Sequence, residues 1–91
     1  LVELIYNDTP CGVEYFIRDF KEDIQEADLV WHRDYKSRNI YVIAGEGWKL
    51  QFDNELPFEL KVGDNWFIPS MQFHRLWRGS GTLSLKIREM D

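Results

Sequence analysis

Apolar and polar residues alternate strictly along Trp48-Lys49-Leu50-Gln51-Phe52-Asp53, and the same period of two returns at Phe58-Glu59-Leu60-Lys61-Val62 and at Leu83-Ser84-Leu85-Lys86-Ile87-Arg88. Successive side chains of an extended chain point to opposite faces, so each segment reads as a strand with one face in a core and one in water. Further strand candidates are Val2–Tyr6, Val13–Phe20, Leu29–His32, Ile40–Ala44, Trp66–Ile68 and Phe73–Trp77. Turn-forming residues separate them: Asn7-Asp8-Thr9-Pro10, Gly45-Glu46-Gly47, Asp53-Asn54-Glu55-Leu56-Pro57, Gly63-Asp64 and Gly79-Ser80-Gly81. Only Lys21–Asp28 has roughly helical spacing, through Phe20, Ile24 and Ala27, and it is short and acidic. A loop or a single helical turn is the expectation there. Many short strands at regular spacing point to an all-β sandwich, jelly roll or small barrel.

Size and charge narrow the functions. The 91 residues, taken as a single domain over 1–91, bury only about 60–65% of the unfolded surface, so a bound metal or a dimer interface would add needed support. Aromatic residues make up 15% of the chain, which suits strands and brings large areas to a thin core. Trp31, Trp48, Trp66 and Trp77 are expected in the core or at a dimer contact. A net charge of −5 argues against nucleic acid, whose binding needs a basic surface. No apolar run approaches the length of a membrane span. The single Cys11 cannot form an intrachain disulfide, and no signal-peptide pattern opens the chain, which together lead us to expect a cytoplasmic protein.

Chemistry gathers in two stretches. If the strand at Leu29–His32 continues through Asp34, then Val30, His32 and Asp34 project from one face, and two neighbouring side chains there suit one cation. The second stretch, Gly63-Asp64-Asn65-Trp66-Phe67-Ile68-Pro69-Ser70-Met71-Gln72-Phe73-His74, would supply a third group. The pair resembles the two sequence motifs of the cupin superfamily. Motif one there runs His-x-His, an acidic residue after three or four positions, then six residues and Gly. Here it reads His32-x-Asp34, three residues, Arg38, six residues, Gly45. Motif two there runs Gly, five residues, Pro-x-Gly, two residues, His, then Asn. Here it reads Gly63, five residues, Pro69-x-Met71, two residues, His74, with Arg78 at the Asn position. The resemblance covers roughly residues 29–87 and implies an all-β, antiparallel jelly-roll β-barrel. Besides Arg78, three identities depart from it: Asp34 for the second His, Arg38 for the acidic ligand and Met71 for the small residue.

The resemblance implies a metal set of His32, Asp34 and His74, two imidazoles and a carboxylate as in the facial triad of non-haem Fe(II). Fe(II) is the favoured cofactor, and Zn, Mn or Ni would suit the same donors. The implied activity is that of a mononuclear enzyme, such as an oxygenase, on a small polar or carboxylated molecule. Isomerases, epimerases and lyases use the same fold, as do barrels that bind a small ligand without metal. Against the metal stands a plainer arrangement, in which both histidines are core residues, Asp34 opens a turn and Arg38 neutralises it. Arg38 shares parity with Ile40, Val42 and Ala44, so it should face inward. An inward guanidinium needs an anion, either Asp34 or the carboxylate or phosphate of a bound ligand, and the ligand is preferred, making Arg38 a substrate anchor. Arg75 and Arg78 lie near His74 in sequence and could draw an anion, Arg78 being as readily solvated. The partners expected are therefore a small anionic molecule and a second copy of the chain, the dimer forming through strand addition at Val2–Tyr6.

Overall fold

The computed structural model describes residues 5–90. They form β1 (Tyr6–Cys11), β2 (Tyr15–Phe20), β3 (Ser37–Glu46), β4 (Lys49–Phe52), β5 (Phe58–Glu59), β6 (Asn65–Ile68), β7 (His74–Trp77) and β8 (Ser80–Met90). One sheet has the order β1-β2-β8-β3-β6 and the other β5-β4-β7, and the pairings are antiparallel. The alternation read from sequence is the alternation of burial. On β8, Leu83, Leu85 and Ile87 are buried; on β3, Ile40 and Val42; on β4, Leu50. These side chains join Phe20 of β2 and Ile68 of β6 from the larger sheet and Leu76 of β7 from the smaller one in one core between the two sheets. Burying a Leu or Ile side chain fully contributes roughly 1.5–3 kcal/mol, so this shared face is the main source of stability.

Trp48 and Leu60 lie just outside the strands that their alternation assigns them to, yet both are buried. The Leu60 N–H donates to the Trp48 carbonyl at 2.8 Å, which keeps the pair in register beyond the short β4–β5 ladder. Val62, by contrast, is exposed, because the chain turns at Gly63 (φ +94°) before the alternation can continue. Of the four tryptophans, Trp48 alone is in the core; Trp31 and Trp66 are exposed, and Trp77 lies partly buried with its indole N–H on Gln51.

Three local expectations change. Asn7–Pro10 is not a turn but part of β1, the edge of the larger sheet. Proline has no N–H to donate, and an edge strand tolerates that. The reversal comes instead at Gly12 (φ +74°), which leaves Val13 outside β2 and fully exposed. Leu29–His32 is not a continuous strand either: within it His32 alone makes a bridge, to His74, after a 3₁₀ turn at Glu26–Asp28. That turn is the single helical turn anticipated in Lys21–Asp28. Of the dimer segment Val2–Tyr6, residues 2–4 lie outside the described residues, and Tyr6 opens β1.

Candidate metal centre

The three sequence-predicted ligands come together. One ligand atom from each of His32, Asp34 and His74 lies within 4.8 Å of the others. Backbone hydrogen bonds bring them there: His32 N–H donates to the His74 carbonyl at 3.0 Å, and His74 N–H donates to the His32 carbonyl at 2.9 Å. Directly paired residues on adjacent antiparallel chains carry side chains on the same face, so the two imidazoles meet, with ring centroids 4.3 Å apart. Asp34 is placed by a third bond, in which Met71 N–H donates to the Asp34 carbonyl at 2.7 Å. The second motif thus holds the first from both ends. Met71 adopts φ +64° to do this, a left-handed conformation that explains why the cupin pattern has glycine there.

The rings are set for metal binding. A carbonyl oxygen can only accept, so the contacts of His32 Nδ1 with the Val30 carbonyl (3.0 Å) and of His74 Nδ1 with the Gln72 carbonyl (2.8 Å) place a proton on each Nδ1. In the neutral form of either ring Nε2 is then left with a bare lone pair, the arrangement in which a ligating histidine is oriented by its other nitrogen. His74 is buried, and that burial lowers its pKa below the ordinary imidazole value, opposed by the backbone hydrogen bond to Gln72 and reinforced by nearby His32. That direction favours the neutral imidazole, the form a metal ligand takes. His74 Nε2 lies 3.5 Å from Asp34 Oδ2, close to the roughly 3 Å expected of two donors sharing one small cation. The donor set fits a divalent metal, and among the described residues it is the cluster that does.

Arg38 faces inward as its parity requires, its side chain 14% exposed. Of its two expected anions the structure supplies Asp34, at 3.2 Å from Nη1. It also supplies one that the sequence does not announce. Glu89 Oε2 accepts from Nε at 3.1 Å and Nη2 at 2.9 Å, across the Arg38–Glu89 pair of β3 and β8. A signal for it exists: Glu89 continues the parity of Leu83, Leu85 and Ile87, although the alternation of apolar residues stops before it. Arg75 and Arg78 turn elsewhere. Arg75 stacks on Trp77 and lies 3.8 Å from Glu26, while Arg78 donates its N–H to Glu26 and its side chain to the Ile24 carbonyl, tying the 21–28 segment to the smaller sheet.

A cavity of about 240 Å³ opens beside the cluster, with His32, Asp34, Arg38, Asp28 and Arg18 among its polar walls and Tyr6, Phe20, Leu29 and Leu76 among its apolar ones. A smaller hollow of about 40 Å³ reaches His74 and the core behind it and shares Arg18, Phe20, His32, Arg38 and Leu76 with the first. Arg18 is the second residue that sequence reasoning missed. It alternates with Phe16 and Phe20 on β2 and sits opposite Leu85, so period two placed it on the core face. Burial works against its charge, and the hydrogen-bonded Asp8 carboxylate, with smaller contributions from Tyr6 and Asp34, offsets this, so its pKa is raised above the ordinary value.

No protein-family model and no curated protein matches this chain. Solved structures do. An RmlC-like cupin family protein with a double-stranded β-helix fold from Methanocaldococcus jannaschii is 14% identical, with a TM-score of 0.66 over 98% of this chain and 91% of that one. The fold is that of the cupins. The DMSP lyase DddQ from Ruegeria pomeroyi DSS-3 superposes with a TM-score of 0.72 at 16% identity over 85% of this chain, and Fe(II) HppE with 0.64 at 18% identity over 84%. The matched region is only 37% of DddQ and 41% of HppE. At such identities the likeness carries the cupin architecture and not an activity. Among the described residues no helix is long and apolar enough to cross a membrane.

Proposed function

We propose that this chain is a small metal-dependent cupin in which His32, Asp34 and His74 hold one divalent cation, Fe(II) in the first place, and that a small anionic molecule binds in the adjoining cavity. The reading rests on one observation: three ligand atoms lie within 4.8 Å of one another, and two of their residues, His32 and Asp34, border a cavity of about 240 Å³. When bound, the cation supplies Lewis acidity, open coordination positions and, as iron, redox capacity. The chain's own residues do the rest. The Val30 and Gln72 carbonyls fix the imidazole tautomers, Arg38 orients the Asp34 carboxylate, and Phe20, Leu29 and Leu76 keep water from the walls. Arg38 retains donor protons beyond those given to Asp34 and Glu89, so it serves as an anchor for a ligand carboxylate or phosphate as well. An oxygenase is the leading activity, with isomerase, epimerase and lyase chemistry open to the same centre.

The Arg38–Asp34 ion pair favours a second reading, in which the barrel binds a small ligand without metal and Asp34 is withdrawn by Arg38. Elemental analysis of untagged protein, followed by calorimetric titration of the metal-free chain with Fe(II) under anaerobic conditions, separates the two. Tight binding near one equivalent supports the metal centre; no heat and no retained metal sinks it. Oxygen uptake with small acids then tests the oxygenase. We also propose a homodimer through the β1 edge, since among the described residues β1 pairs on one side only, with β2. A monomer in sedimentation at high micromolar concentration would end that idea.

A further inference from the structure

We infer that Arg18 forms a second anion seat in the cavity, so that the cavity takes a short molecule with two acidic ends, one directed to the metal centre and the other a carboxylate on Arg18. The first end rests on the metal reading above; the Arg18 seat does not.

The seat is built from three constraints on one guanidinium. Arg18 lies on the core face of β2 between Phe16 and Phe20, and its side chain is 12% exposed. The Tyr6 ring lies beneath it, with the guanidinium carbon 3.7 Å from the ring centroid. Asp8 takes one edge, accepting from Nε at 2.8 Å and from Nη2 at 2.9 Å. Stacking fixes the plane, and the two-pronged bond fixes its rotation within that plane. The Nη1 edge has no hydrogen-bond partner among the described residues, and Arg18 lines both hollows. A guanidinium held in this way loses little freedom when it meets an anion.

Asp8 does not by itself account for this arrangement. Its carboxylate is 39% exposed on an edge strand, where water would solvate it without an arginine drawn from the core face. Phe20, Leu29 and Leu76 are apolar wall, suited to methylenes between two acidic ends. The volume is below the roughly 300–1,000 Å³ of pockets for drug-sized ligands, which favours a short chain.

The test titrates Zn(II)-loaded protein with glutarate and with pentanoate, which have equal carbon number and two or one carboxylates. Arg18→Gln is expected to weaken glutarate by about tenfold or more, to change pentanoate by less than about twofold, and to leave Zn(II) affinity unchanged. Equal loss for both acids, or loss for neither, overturns the seat. Because Arg18 also pins β1, Asp8→Asn provides the control: it breaks the same ion pair while keeping the guanidinium. Retained or tighter glutarate binding with a lowered melting temperature supports the seat, and a loss matching that of Arg18→Gln overturns it. If Zn(II) fails to bind, the metal reading falls alone. Glutarate binding by metal-free protein then still decides, since a seat requires that Arg18→Gln abolish it, and no binding by the wild type refutes the seat.

Discussion

The two ends of the barrel are built by opposite rules. At one end Val42, Trp48, Leu50, Leu60 and Leu83 are excluded from water almost completely, and Trp48 donates its indole N–H to the Gly81 carbonyl. At the other end the inward rows of β3 and β8 end in Arg38 and Glu89, beside His32, Asp34 and His74, and Arg18 interrupts the row of β2 between Phe16 and Phe20. Strand geometry is continuous between them; only the side chains change. The packed end secures the fold through area and fit, and the polar end uses that rigidity to hold charged groups that would otherwise be solvated apart. A small barrel can therefore sustain a destabilising site at one mouth because the other has none.

The sharpest way to break this contrast is to empty the packed end. Trp48→Ala should destabilise the protein by about 3–5 kcal/mol, as expected for a fully buried aromatic. Urea unfolding measures this, and a loss near that of a surface substitution would show that stability is not concentrated there. The next test strikes the polar end. His74→Ala should lower divalent metal affinity by at least about 100-fold while circular dichroism still reports a folded barrel, since one of three ligands is gone and the packed end is intact. His32→Ala should behave alike with a smaller stability change, because His32 is exposed and His74 is not. Unchanged metal affinity in either variant refutes the ligand set.

A subtler comparison asks which partner Asp34 serves. Arg38→Ala should destabilise the metal-free protein by about 1–3 kcal/mol, leaving Asp34 and Glu89 without their shared cation. Metal loading should restore part of that loss, because the cation replaces the guanidinium at Asp34, while affinity for small anions falls. Melting curves with and without Zn(II) decide this; identical losses in both would place Arg38 outside the metal's influence. The smallest effect is expected at Met71, exposed and left-handed on the loop that holds Asp34. Met71→Gly should stabilise by about 0.5–1 kcal/mol, the relief of a left-handed side chain less the added freedom of glycine. A destabilisation would mean that Met71 makes contacts worth more than its strain.

Much of this is legible in the sequence, since period two is a local property. It determines which residues of β3, β4 and β8 face the core, and the spacing of the two motifs alone singles out Gly45, Gly63 and His74. It errs where a neighbour decides: Asn7–Pro10 looks like a turn and becomes a strand only because β2 lies alongside to pair with it. Leu29–His32 looks like a strand, yet within it His32 alone finds a partner in its bridge to His74. The same limit separates the site's parts. His32, Asp34 and His74 can be named as candidates from their order along the chain. That Arg38 is shared between Asp34 and a Glu89 that lies 51 residues beyond it, and that Arg18 is clamped between Asp8 and Tyr6, depends on strand register. Parity along one strand tells a side chain which way to point; only the pairing of strands decides what it meets there.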